Sequence, residues 1–340
     1  MPKAAIGTHR SLVANTYQFS VWLTTLREGK ETWLSAIPFY HVYGMVIGLC
    51  VGLHKRATLI ILPDARDVQA VISAALFHRA TFLPGVPALF SAIIRNLEST
   101  NRLNEKFSIK TCISGSASLH EKTKHRFEEL TGSRILEGYG LSEAPTATHC
   151  NPLQGENRIG SIGLPLPDVI CKLVDIESGL TEVQNGEPGE LILQGPQVMA
   201  GYYNQSEAED QIIKNDWLYT GDIAQMDTDG FFYLVDRKKD LIKAGGFQVW
   251  PKEVESVLML HPSIAEAAVI GVTGRSDNQE IVHAWLVLAP GMQATIVDLR
   301  NWCAVSLSRY KIPGEFHFID ELPKSSVGKV LRRKLHEMLE

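Results

Sequence analysis

The sequence predicts an α/β protein: a parallel sheet with helices between its strands, then a small antiparallel β subdomain, then an α+β domain. Three observations predict it. Short apolar runs alternate with helical stretches in the first part of the chain, the pattern of a parallel sheet. From 155 to 236 strand-like runs are separated by turn clusters such as NGEPGE and DTDG. From 240 onward helices and strands mix again over about a hundred residues, an ordinary domain size.

In chain order, residues 10–27 read as a helix, because Leu12, Phe19, Trp22, Leu23 and Leu26 fall at roughly helical spacing. The apolar, glycine-rich run Tyr43–Leu53 reads as a buried helix, too short to span a bilayer. Residues 64–80 read as a second amphipathic helix, opened by Asp64 and Asp67 and filled by Val68, Val71, Ile72, Ala75 and Leu76. Strands are expected at Ala57–Leu62, Thr81–Leu83, Ile109–Ser114 and Arg134–Leu136. In the β subdomain VICKLVDI, GELILQG and GFFYLVD read as strands; in the last domain the elements are Lys252–Leu260, Ala265–Val272, Ile281–Leu288 and Ile296–Ser308. Five charged residues in a row, Asp236 to Asp240, mark the boundary before that domain, as a solvated loop or a hinge.

Composition narrows the function. The 340 residues are 45% hydrophobic and 21% charged, with a formal net charge of −5, so no basic footprint argues for nucleic acid. Five cysteines without CxxC spacing argue against a disulfide framework or a zinc site. No charged-then-apolar leader opens the sequence, and residence in the cytoplasm is the default expectation.

PKSSVGKV, residues 323–330, resembles a phosphate loop at first sight, but the strict pattern needs Gly where Pro323 stands and Ser or Thr where Val330 stands. Taken alone it is a surface turn. Other stretches carry more chemistry. SGSAS, Ser114–Ser118, is a small-residue turn between a strand and a helix, where a ligand can approach backbone N–H groups. EGYGLSEA, Glu137–Ala144, offers the flat face of Tyr139, tight backbone at Gly138 and Gly140, and the hard oxygens of Ser142 and Glu143, which suit magnesium. YTGD sets Asp222 after a turn, able to accept two hydrogen bonds from a diol. LIKAGGFQVWPKEVE has a glycine pair and then a helix begun by Pro251.

Together and in this order these stretches resemble the adenylate-forming superfamily of acyl-CoA synthetases, beetle luciferases and peptide-synthetase adenylation domains. The matching segments are IPFYHVYGM, ISGSASL, EGYGLSEA, GSIGLP, GELILQGPQVMAGYYN, WLYTGDIAQMDTDGFFYLVDRKKDLIKAGGFQVWPKEVE and PKSSVGKVLRRKL. The resemblance runs from Pro2 to about Leu335, and GGFQVWPKEVE is most similar to the medium/long-chain fatty acid and coumarate ligase branch.

The resemblance implies an AMP-binding domain over 1–236 with its β subdomain at about 155–236, a hinge at 237–240, and a mobile C-terminal domain over 241–340. It implies that Lys329 swings into the site and bridges the carboxylate and the α-phosphate; a cation there stabilises charge where two anions meet. Asp222 and Arg237 take the ribose side, and Gly115, Ser116, Ala117 and Tyr139 the adenine wall. Ser142 and Glu143 take phosphate and Mg2+, with Glu143 as the metal residue. His41 stands as a gate at the acyl pocket. Lys239 takes the hinge position, and Lys243 with Gly245 and Gly246 the face presented to the pantetheine arm of CoA. The implied reaction joins a carboxylic acid to CoA through an acyl adenylate, with ATP, Mg2+ and CoA as reagents.

One departure stands at the start. Only Pro2 and Lys3 match the end of the family's G-x-P-K-G signature, and Ala4 replaces its last glycine. The resemblance is therefore to an N-terminally truncated member, with weakened ATP binding and an apolar patch on helices that would meet the absent part. Two alternatives accompany the ligase reading: a carrier-protein thiol as acceptor, and a non-catalytic or partner-requiring fragment, completed by a missing N-terminal half or a homo-oligomer.

Overall fold

The computed structural model describes residues 3–204, 212–274, 279–325 and 328–339; Pro2 lies outside them. A seven-stranded sheet is built from β1 (Thr32–Ser35), β2 (Thr58–Ile61), β3 (Phe82–Gly85), β4 (Thr111–Ser114), β5 (Arg134–Leu141), β6 (Ala144–Cys150) and β7 (Leu164–Pro165), in the order β2-β1-β3-β4-β5-β6-β7. The first five are mutually parallel. The parallel sheet expected from the sequence is there, and it is extended at one edge by β6 and β7, whose pairings are antiparallel. The cause is β5, which does not stop at Leu136 but runs on through EGYGL and turns straight back into β6.

Successive strand residues serve opposite faces, as pleating requires. Leu34, Leu83, Cys112 and Ile135 pack with α3 (Val68–Phe77), α4 (Pro87–Ser99) and α5 (Glu121–Thr131). Their neighbours Trp33, Phe82, Ile113 and Leu136 pack with α1 (His9–Trp22) and with a π-helical turn, Gly44–Cys50, that continues into α2 (Val51–His54). The buried helix expected at Tyr43–Leu53 is this pair. With both faces covered, the strands read as apolar runs rather than alternating ones.

Two helices are shorter than their spacing suggests. The helix expected over 10–27 is capped by Thr8, whose hydroxyl accepts from Ser11 N, and it ends when Leu23 leaves helical geometry. The helix expected over 64–80 starts only at Val68, because Asp67 is its N-cap. Asp64 instead turns back on Arg66 in the preceding loop. Along α1, Val13, Tyr17 and Val21 face outward, 52%, 55% and 58% exposed, and Ile61 on the edge strand β2 is exposed as well.

The β subdomain consists of β8 (Ile170–Val174), β9 (Gly189–Gln194), β10 (Ile213–Lys214), β11 (Trp217–Met226) and β12 (Phe232–Arg237), all antiparallel. After a turn at Lys238–Asp240 comes a hairpin, β13 (Ile242–Ala244) and β14 (Phe247–Val249), then α6 (Pro251–Met259). A three-stranded sheet of β15 (Ile264–Thr273), β16 (Glu280–Leu288) and β17 (Glu315–Phe318) carries α6 and α7 (Ile296–Ser306) on one face. On the other face Trp285, Leu322 and Leu335 bury the short α8 (Arg332–Glu337). Among the described residues no helix is long and apolar enough to cross a membrane.

Candidate active site

The C-terminal ends of β4 and β5 open onto a cavity of about 300 Å³, where open α/β sheets bind ligands. Each element delivers its residues by a local device. After β4 the chain turns at Gly115 and at Ser116, which adopts a left-handed φ of 71°. In β5, Gly140 lies so close to β6 that a Cβ would sit 1.6 Å from the carbonyl oxygen of Thr146, so only glycine fits. That close approach lays Gly138, Tyr139 and Leu141 along the cavity wall.

Tyr139 then reaches the β subdomain. Its hydroxyl donates to Asp222 Oδ2 at 2.5 Å, and Arg237 Nε meets Asp222 Oδ1 at 2.9 Å. Asp222 and Arg237 are direct cross-strand partners of β11 and β12. YTGD suggests a carboxylate that follows a turn, but no turn between elements precedes Asp222. It sits inside β11 beside an irregularity in the pairing with β9, where Gly221 takes a φ of 69°. Burial, then the charge of Asp222, push the Tyr139 phenol well above its usual range.

His41, Val42 and Tyr43, at the start of the π-helical turn, line the same cavity. Burial lowers the His41 imidazole. The backbone N–H of Tyr43 donates to its Nδ1 at 3.3 Å, which leaves the proton of the neutral ring on Nε2. Tyr43 is a pillar of the site: its buried hydroxyl donates to the carbonyl of Ile113 at 2.8 Å.

Lys329 arrives from the far end of the chain and lines the same cavity as Tyr139 and Arg237. Its loop is closed by Ser325 N donating to Lys329 O at 2.8 Å, with Gly328 at a φ of 79°. Partial burial first, then the neighbouring charge of Arg237, lower its amine from the ordinary lysine range.

His41, Gly115, Ser116, Gly138, Tyr139, Gly140, Ser142, Glu143, Arg237 and Lys329 thus converge on one cavity, with Asp222 bound to two of them. Ala117 is exposed, one residue beyond its wall. Lys243 is exposed on β13, its backbone N–H bonded to Glu280 Oε2 at 2.6 Å, and Gly245 and Gly246 form the hairpin turn; none of the three lines the cavity. Lys239 is exposed in the Lys238–Asp240 turn.

Glu143 has one feature the motif did not reveal. Tyr202 donates its hydroxyl to Glu143 Oε1 at 2.6 Å, and the amine of Lys3 lies 5.0 Å from the Tyr202 ring centre. The first described residues pair with the same loop through Ile6 N to Gly201 O and Tyr203 N to Ala4 O, both 2.8 Å. Asn15 was also silent in the sequence. Buried within α1, its amide oxygen accepts from Thr146 N at 2.7 Å and its nitrogen donates to Ala147 O at 2.7 Å, which ties the helix to β6 behind the cavity. Nothing marked it out, because α1 carries polar residues throughout and Ser11, Thr16, Gln18 and Ser20 are buried beside it. A smaller cavity of about 200 Å³ lies against β9 and β11, but its Lys238 is already paired with Glu190 at 2.7 Å, and none of the candidate catalytic residues lines it.

The sequence pattern of AMP-binding enzymes matches residues 1–203, and that of the AMP-binding enzyme C-terminal domain matches residues 253–329. The chain belongs to the AMP-binding enzyme family. This family member is 40% identical over 338 residues to a long-chain-fatty-acid–CoA ligase of Bacillus subtilis, covering 99% of this chain and 59% of that protein. It spans 59% of the length of curated long-chain-fatty-acid–CoA ligases that it matches. Among solved structures, ATP-bound MatB from Rhodopseudomonas palustris superposes with a TM-score of 0.90 at 30% identity, covering 99% of this chain and 65% of that one. Apo MatB, at the same identity and coverage, gives 0.74. O-succinylbenzoate coenzyme A synthetase from Bacillus subtilis in complex with AMP gives 0.85 at 30% identity, over 98% and 66% of the two chains.

Proposed function

We propose that this chain carries the chemistry of an AMP-forming acyl-CoA synthetase, an acid–thiol ligase for a medium/long-chain fatty acid or an aryl acid. The observation that carries the reading is the convergence of Lys329, Arg237 and Tyr139, with Asp222 behind them, on one cavity. The likeness to a fatty-acid–CoA ligase and to an O-succinylbenzoate synthetase supports the acid and CoA as substrates. The likeness to ATP-bound MatB supports ATP.

In this reading Asp222 and Arg237 hold the ribose, and the nucleobase lies between Tyr139 and the turn of Gly115, Ser116 and Ala117. The acid enters beside His41. Its carboxylate oxygen attacks the α-phosphorus and pyrophosphate leaves. Lys329 lies between the two anions and offsets the charge that builds up on the phosphoryl oxygens; a flexible four-carbon stem suits that delivery. The CoA thiol then attacks the acyl carbonyl and AMP departs. Lys243, Gly245 and Gly246 would serve this second step after the C-terminal unit turns about Lys239.

Magnesium fits the oxygen donors present. Glu143 and Ser142 would hold it, and such an ion takes one or two protein oxygens and the rest from phosphates and water. When bound, it neutralises phosphate charge. Both substrates belong to the cytoplasm, where the reading puts the enzyme.

The test is carboxylate-dependent ATP–pyrophosphate exchange with pooled fatty and aryl acids. Exchange that vanishes in Lys329→Ala supports the reading; exchange untouched by that substitution overturns it. A second reading, a chain that works only with a separate N-terminal portion, is favoured by the outward apolar stripe Val13, Tyr17 and Val21. It predicts exchange only once that portion is supplied.

A further inference from the structure

Lys329 can line the cavity only while the C-terminal unit is held against the rest of the molecule. Two hydrogen bonds between described residues cross that boundary at Lys252. Asp236, in β12, sets its Oδ2 2.7 Å from the backbone N–H of Lys252 in the first turn of α6. In return, Lys252 Nζ donates to the carbonyl of Leu234 at 2.9 Å. The first N–H groups of a helix have no partner within it. Here the N-cap residue, Trp250, supplies no side-chain acceptor, so the cap comes from 16 residues upstream. The other oxygen of Asp236 accepts from Arg237 N at 2.8 Å, so the same carboxylate fixes the residue that grips Asp222.

The grip is passed on to Lys329. Glu255, one turn further along α6, accepts from Arg332 Nη2 at 2.6 Å and from Val269 N at 2.8 Å. Arg332 also donates its Nε to Val269 O at 3.2 Å and follows the Lys329 loop directly. From β12 through α6 to Arg332, the chain of contacts is continuous.

We propose that Asp236 and Lys252 are positioning residues that latch α6 onto β12 and so hold Lys329 in the cavity for the adenylation half of the reaction. The proposal rests on the reading of Lys329 given above. Burial pushes the Asp236 carboxyl up and the Lys252 amine down. Both groups are therefore held at a solvation cost.

The pose can be read without any activity. A Cβ on Gly328 would lie 3.9 Å from the Cβ of Ala88, a separation that a disulfide bridges, and the strain of Cys at a φ of 79° is common to every chain compared. The experiment is the oxidation rate of the Ala88→Cys/Gly328→Cys chain, alone and with Lys252→Met, Asp236→Ala or Lys252→Arg added, with peptide mapping to separate this bridge from the native cysteines. We expect Lys252→Met and Asp236→Ala to slow cross-linking at least about tenfold, and Lys252→Arg, which keeps a donor for Leu234, to restore it. Equal rates in all four chains overturn the latch.

The same single substitutions are then assayed without the cysteines. Pyrophosphate exchange should drop at least about tenfold, while thioester formation from supplied acyl adenylate and CoA stays within about twofold. An equal fall in both half-reactions, as unfolding would produce, counts against the latch. A parent chain that cross-links in a Lys252-dependent way but exchanges no pyrophosphate, even with an N-terminal portion supplied, overturns the ligase reading and leaves the latch that places Lys329 standing.

Discussion

The phenol of Tyr139 and the carboxylate of Asp222 join the large sheet to the β subdomain through one hydrogen bond of 2.5 Å, directly over the cavity. Asp222 is almost fully buried, and Arg237 is its other charged or hydroxyl partner. Replacing Tyr139 by Phe keeps the aromatic face and removes one donor from a buried anion. The expected loss of stability is about 1–3 kcal/mol, measured as a lower melting temperature, with AMP affinity by calorimetry changed only a few-fold. An unchanged melting temperature would show that water replaces the phenol there.

Lys329 gives a pH prediction. Its amine is lowered from the usual value of 10.5, first by burial and then by Arg237. Adenylation uses the charged ammonium, so exchange should fall as pH rises through the lowered pKa, before the ordinary lysine range is reached. Exchange followed at rising pH checks the sign; a rate that holds steady past pH 10.5 contradicts it. At neutral pH, Lys329→Ala should lose about 10²–10³-fold in exchange, the scale of removing one charge-stabilising donor.

His149 makes the fold acid-sensitive. It is wholly buried beneath Phe232 and beside Tyr139, bonded only through Nδ1 to Thr148 at 2.9 Å, and burial lowers its pKa from 6.5 to about 3. Between those values the unfolded chain takes up a proton that the folded chain refuses. Stability is therefore complete above pH 6.5 and falls by about 1.4 kcal/mol per pH unit below it. His149→Gln should flatten that slope in urea melts at pH 5 to 7; a slope identical to the parent's would place the acid sensitivity elsewhere.

Gly140→Ala should be among the most damaging single changes. The added carbon would overlap the Thr146 carbonyl, a backbone atom in β6 that cannot swing aside. A loss above about 3 kcal/mol is expected, seen as little soluble protein. A normally folded Gly140→Ala chain would mean that β5 and β6 can separate.

Tyr202→Phe tests the hold on Glu143. Freed of a hydrogen bond worth about 1 kcal/mol, the carboxylate should reach half-saturation at about fivefold less Mg2+ in pyrophosphate exchange. A higher requirement would mean that Tyr202 positions Glu143 for the metal rather than competing with it.

The fold was legible where periodicity or punctuation was strong. The runs around Thr58–Ile61, Thr111–Ser114 and Ile264–Thr273 stand out as strands because β-branched and apolar residues crowd together. β1 was not legible: four residues, TWLS, carry no alternation, and their place in the middle of the sheet is fixed by tertiary contacts of Trp33 and Leu34. The turn back from β5 into β6 was hidden because Gly138 and Gly140 read as loop, whereas here they allow two strands to approach. The small-residue turns and the Gly–Lys loop drew attention to the cavity residues, but their meeting came from family likeness. The Tyr202–Glu143 bond could not be read, since nothing local links positions 59 residues apart.

The pairing of the first described residues with the 200–203 loop has a practical side. Lys3 and Ala4 lie within one side chain of Tyr202, and Tyr202 touches Glu143. A polyhistidine tag fused ahead of them would bring its imidazoles close to Glu143, the carboxylate proposed above to hold Mg2+. The tag belongs after α8, at the other end of the chain.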